Sequence, residues 1–82
     1  MNWNSSQVRQ LLTEGFSVSE LSGMCFDNKP FRGVYETLGL EGRRGEYVDH
    51  LLDLCDRHQE LRPVLLQWAE EENPLKYRSI MG

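Results

Sequence analysis

The chain has 82 residues, with nine Lys and Arg against thirteen Asp and Glu, a formal net charge of −4. That length forms a single domain over 1–82, with no room for a separate cofactor-binding half, because a second core needs about 50 further residues. The acidic balance gives no summed positive field toward phosphate backbones or anionic lipid, so generic nucleic-acid and membrane binding are not expected.

Apolar residues make up 39% of the chain, and twelve Leu against five Val and one Ile skew them toward helix formers. The chain therefore reads as all-helical. Val8, Leu11 and Leu12 mark a first helix over Ser5 to Glu14, with Asn4 or Ser5 as its cap and Gly15 as its stop. Ser17-Val18-Ser19-Glu20 is a capping box, and Phe16 and Leu21 are placed as a hydrophobic staple. Leu21, Met24 and Cys25 carry this second helix to about Phe26, where Asp27-Asn28 ends it.

Pro30 suits a first turn, and Phe31, Val34, Tyr35 and Leu38 follow at helical spacing up to Gly39. Gly42-Arg43-Arg44-Gly45 then reads as a basic, flexible connection that leaves the start of helix four open. Tyr47, Val48, Leu51, Leu52 and Cys55 define the face of that helix, which ends near His58. Leu61, Val64, Leu65, Trp68 and Ala69 make a fifth face, with Pro63 in its first turn. Glu70-Glu71-Glu72 at its end have the wrong sign for a helix C-terminus. Asn73-Pro74 starts a short sixth helix with Leu75, Tyr77 and Ile80. Short connections between five or six such segments predict a compact antiparallel bundle.

Cys25 and Cys55 are too few for a secreted disulfide framework and lie in apolar patterns, so they read as buried thiols in a reducing cytoplasm. Met1-Asn2-Trp3-Asn4 has neither a basic segment nor a following apolar run, so no leader and no membrane span are expected. Cys25, Cys55, His50 and His58 lack zinc-knuckle spacing, and His50 points away from the Val48 face. Neither thiol has the signature of a nucleophile, and the carboxylates lie on outward faces. No metal, no cofactor and no catalysis are expected.

Asp49, Asp53 and Asp56 recur at i, i+4 and i+7 and share one stripe of helix four. The stripe is either a solvated face eased by an Asp53–Arg57 pair or a docking surface for a basic patch. Arg43 and Arg44, between two glycines, are the densest basic spot. They either solubilise a loop or meet an acidic helix on another copy in a head-to-tail contact. Phe26, Phe31, Tyr35, Tyr47 and Trp68 read as core. Trp3 is either a frayed end or a contact, and Leu66 is either buried or an apolar contact.

Phe16-Ser17-x-x-Glu20-Leu21, Cys25-Phe26-Asp27, Pro30-Phe31-Arg32-x-Val34-Tyr35-x-x-Leu38-Gly39, Leu51-Leu52-x-x-Cys55-x-Arg57 and Asn73-Pro74-x-x-Tyr77 together resemble a bacterial effector-associated domain of the death-like superfamily. The resemblance runs from about Phe16 to Tyr77. It implies a six-helix death-like bundle acting as a homotypic adaptor in bacterial defence or signalling. Implied partners are similar domains on proteins carrying a peptidase, a TIR domain or a nucleotide-switched ATPase, or further copies of the chain. With no effector after Gly82, the chain reads as a free-standing adaptor or the N-terminal piece of a longer protein. Two features depart from the resemblance: the Gly-Arg-Arg-Gly start of helix four, and the acidic stripe, whose docking role rests on charge alone.

The expected function is therefore a non-catalytic interaction module, with Arg43 and Arg44 on the basic side and Asp49, Asp53 and Asp56 on the acidic side. The alternative is a small helical domain that binds nucleic acid or regulates, with helix three or four reading a groove.

Overall fold

The computed structural model describes residues 3–82. Met1 and Asn2, at the start that reads as carrying no leader, lie outside the described residues. Six α-helices account for most of these residues, and no strand occurs among them. They are α1 (Ser5–Gly15), α2 (Val18–Asp27), α3 (Arg32–Leu38), α4 (Arg44–Arg57), α5 (Arg62–Glu72) and α6 (Pro74–Met81). Short 3-10 turns at Lys29–Phe31, Gly39–Glu41 and Gln59–Leu61 connect α2 to α3, α3 to α4 and α4 to α5.

The helices begin where side chains can satisfy free amides. Asn4 Oδ1 accepts from Gln7 N at 3.0 Å and caps α1. Ser17 and Glu20 form the full capping box of α2, with Ser17 N donating to Glu20 Oε1 at 2.9 Å and Glu20 N to Ser17 Oγ at 3.2 Å. Asn73 Oδ1 accepts from Lys76 N at 3.3 Å at the head of α6. At the head of α4 only half a box exists: Arg43 N donates to Glu46 Oε1 at 2.9 Å, and a guanidinium has no acceptor with which to answer. The α2 helix ends as its sequence indicates, with Asn28 Nδ2 donating to the Met24 carbonyl at 2.8 Å.

One core holds the helices together. Helix α4 lies against α1, α2 and α3, and α6 lies against α1 and α5. Tyr47, Val48, Leu51, Leu52 and Cys55 of α4 meet Val8, Leu11 and Leu12 of α1, Leu21, Met24 and Cys25 of α2, and Phe31 in this core. Each large apolar side chain so buried contributes about 1.5–3 kcal/mol. Tyr47 keeps its hydroxyl satisfied by donating to the Gly39 carbonyl at 2.7 Å, where a φ of 62° favours glycine. Phe16 stacks on the half-buried Trp68 with ring centroids 4.5 Å apart. Trp3 is a contact rather than a frayed end: it packs on the core, and the Arg62 guanidinium lies 5.0 Å above its ring.

Two expectations about the core need correction. Phe26 is not core but 52% exposed, because one residue past Cys25 the helix has turned it away from the face that Leu21, Met24 and Cys25 bury. On α5 the buried residues are Leu65, Leu66 and Ala69, while Val64 is 41% exposed. The helix is rolled by about one residue from the expected face, which settles Leu66 as core. Gly42 also departs from the flexible reading: a Cβ there would come 2.7 Å from Leu38 Cβ and 2.8 Å from Tyr47 Cε2. Packing, rather than flexibility, requires glycine at that position.

Candidate interaction surface

The two arginines of the basic turn do different work. Arg43 is exposed, and its side chain forms no ion pair within the described residues. Arg44 reaches back to α1, where Nη1 donates to the Thr13 carbonyl at 2.8 Å. That carbonyl lies in the last turn of α1, which carries no basic residue of its own, so Arg44 supplies the positive charge favoured at a helix C-terminus.

The acidic stripe is exposed as the spacing requires, yet each of its carboxylates meets an arginine of its own chain. Asp49 pairs with Arg9 across the α1–α4 contact. Asp53 Oδ2 lies 3.0 Å from Arg57 Nη2, one turn along α4, and Asp56 Oδ1 lies 3.2 Å from Arg62 Nη2. Arg62 also donates from Nε to the Cys55 carbonyl at 3.1 Å. The sequence shows the Asp53–Arg57 pair. The partners of Asp49 and Asp56 follow only from the folded arrangement.

Two surface features were not singled out as sites from the sequence. Between α5 and α6 runs an open groove lined by Pro63, Leu66, Gln67, Glu70, Glu71 and Tyr77. Its acidic wall belongs to the Glu70-Glu71-Glu72 run, whose unfavourable position at the end of α5 was the one available sequence signal. Glu71 Oε1 accepts from Gln67 Nε2 at 3.1 Å, but no cation pairs with this run within the described residues. Between α2 and the α3–α4 turn lies an apolar surface of Phe26, Tyr35 and Leu40, the last 85% exposed. The Phe26 ring meets Tyr35 edge-on at 5.2 Å, and Arg32 stands 5.5 Å over it. Leu40 carried no periodicity signal because it sits in a 3-10 turn.

Both thiols are free and buried. Burial pushes Cys25 up to about 12 and Cys55 up to about 11, so neither supplies a thiolate near neutral pH. Among the described residues no group of His, Cys, Asp and Glu could hold a metal ion, and His50 is exposed on α4. No helix of the described residues is long and apolar enough to cross a membrane.

The model of the effector-associated domain 7 family matches residues 8–74. No curated protein and no solved structure matches the chain. The matched span contains the basic turn, the whole aspartate stripe and Glu70 to Glu72. It also takes in five complete or nearly complete helices and the Pro74 that opens the sixth. The match covers most of the 82 residues, and the chain belongs to the effector-associated domain 7 family.

Proposed function

We propose that this chain is a non-catalytic adaptor, a single domain over 1–82 that recruits or clusters effector proteins by homotypic, death-like association in a bacterial defence or signalling system. The family match over residues 8–74 carries this reading. The six-helix, strand-free architecture agrees with a death-like bundle. Reduced, buried thiols agree with a cytoplasmic setting. Partners are similar domains on proteins bearing a peptidase, TIR or NTPase effector, or other copies of this chain. No cofactor takes part.

Charge complementarity sets the contact. The Arg43–Arg44 turn of one domain meets an acidic face of another, and Asp49, Asp53 and Asp56 offer such a face. Because those aspartates already answer Arg9, Arg57 and Arg62, docking there exchanges intramolecular pairs for intermolecular ones. Exposed pairs of this kind contribute only about 0–1 kcal/mol each, so the exchange is inexpensive. Weak contacts repeated over several copies then raise the effective concentration of tethered effectors.

The test is capture of a purified second effector-associated domain by the immobilised chain. Reversal at Arg43 and Arg44 (Arg43→Glu, Arg44→Glu) is expected to abolish capture, with circular dichroism confirming that the variant stays folded. Undiminished capture would remove the basic turn from the interface. Tight binding of duplex DNA with a steep salt slope in fluorescence anisotropy would instead favour the nucleic-acid reading.

A further inference from the structure

Two helix ends in this domain carry a run of adjacent like charges of the sign their own backbone disfavours. Arg43 and Arg44 sit at the N-terminus of α4, where the helix dipole is positive. Glu70, Glu71 and Glu72 form the last turn of α5, where it is negative. The start of α6 follows at once and eases the cost beside its Asn73 cap, but Glu70 and Glu71 are exposed on the groove that ends at Tyr77. Arg44 is relieved by the Thr13 carbonyl, whereas Arg43 has no such partner. Four other basic residues are paired, Arg9 with Asp49, Arg57 with Asp53, Arg62 with Asp56, and Lys76 with Glu14 at 3.0 Å, whereas Lys29, Arg32 and Arg78 form no ion pair among the described residues. Local rules are broken with opposite signs at two separate places, and such violations concentrate where a surface has work to do.

We propose that the α5–α6 groove of one copy receives the Arg43 turn of a second copy. This deepens the functional reading above and rests on it. Arg43 faces Glu70 and Glu71, and the exposed turn lies along Pro63 and Tyr77. Each copy offers both halves at different places, so the contact is head-to-tail and extends into rings or filaments rather than closing as a two-fold dimer. The pairing offsets both dipole conflicts at once and leaves the intramolecular pairs of α4 intact. That distinguishes the groove from the aspartate stripe as the acidic half of the contact.

Sedimentation velocity of the full chain over a concentration series, at low and high salt, tests the assignment. The wild type is expected to self-associate, more weakly as salt rises. Arg43→Glu alone and the double variant Glu70→Lys/Glu71→Lys are each expected to remain monomeric, with association reduced by about tenfold or more. Both changes move charge in the direction their helix favours, so melting temperatures should hold or rise, and loss of assembly cannot be put down to unfolding. Mixing the two variants should restore assembly, because a contact between one variant and the other joins opposite charges in either direction. A wild type that stays monomeric to ~1 mM overturns the second copy as occupant, while capture of another effector-associated domain remains a separate result. If Arg43→Glu dissolves the assembly but Glu70→Lys/Glu71→Lys assembles normally, the groove is overturned and the basic turn stands. Asp49→Lys/Asp53→Lys then locates the acidic half.

Discussion

Arg44 of α4 donates to the carbonyl of Thr13 in the last turn of α1 at 2.8 Å, with two helices between them along the chain. Two residues on, the Gly15 carbonyl accepts from Asn73 Nδ2 at 2.9 Å, and Lys76 pairs with Glu14 at 3.0 Å. The free end of α1 is thus closed from both sides, by the start of α4 and the start of α6. Asn73 serves twice, capping α6 with its oxygen and α1 with its nitrogen. The basic turn is therefore partly structural, and its two arginines should separate in a stability measurement.

Arg44→Ala should lower stability by about 1 kcal/mol, the usual worth of an exposed hydrogen bond reinforced by a helix end. On a domain of this size that is a fall in melting temperature of roughly 4–8 °C. Arg43→Ala should stay within about 0.5 kcal/mol of wild type. Equal losses in thermal melts of the two variants would contradict the division of labour.

The glycines flanking this turn should respond in opposite directions. Gly42→Ala forces a methyl group against Leu38 and Tyr47 at distances no ordinary contact reaches, and should cost about 1–3 kcal/mol. A Cβ at Gly45 meets nothing within 4 Å, in the first turn of α4. Gly45→Ala should stabilise by about 0.4–1 kcal/mol by limiting the unfolded chain. Urea midpoints at unchanged m-value are the measurement, and a stabilising Gly42→Ala would refute the packing argument.

Ser17→Ala removes the hydroxyl that accepts from Glu20 N and should cost about 1 kcal/mol. Adding Glu20→Ala should cost less than the sum of the single changes, since the two side chains form one reciprocal unit. Full additivity in the double-mutant cycle would show that the box is not a coupled device.

Stability should fall in alkali. An unfolded thiol ionises near 9.0, whereas burial holds Cys55 at about 11 and Cys25 at about 12 in the folded protein. The unfolded state therefore releases protons first. The contribution of the buried thiols is complete below pH 9.0 and is lost as pH rises through about 11 and then about 12. Desolvation raises Tyr47 from 10.0 as well and acts in the same direction. Melting temperatures taken from about pH 8 to about pH 11 should decline for the wild type and decline less for Cys25→Ala/Cys55→Ala. Parallel profiles would show that the thiols do not titrate on unfolding.

What can be read in the amino-acid order is whatever depends on separations of three or four residues. The box of Ser17 and Glu20, the cap at Asn73, the buried faces of α1 and α4, and the exposure of Asp49, Asp53 and Asp56 all belong here, because helix geometry fixes those neighbours once the helix exists. Folding in three dimensions settles the choices between overlapping faces. Leu61, Val64, Leu65, Trp68 and Ala69 make as good an apolar stripe at and before α5 as Leu65, Leu66 and Ala69. Packing buries Leu66 and leaves Val64 exposed, while Trp68 stays half-buried against Phe16. Charge partners follow the same division. Asp53 and Arg57 are one turn apart and legible, whereas Asp49 with Arg9 and Arg44 with Thr13 lie 40 and 31 residues apart and meet only because α1 packs against α4. An electrostatic contact depends on distance in space, so the chain alone could name the charged residues, but only packing decided which remain available to a partner.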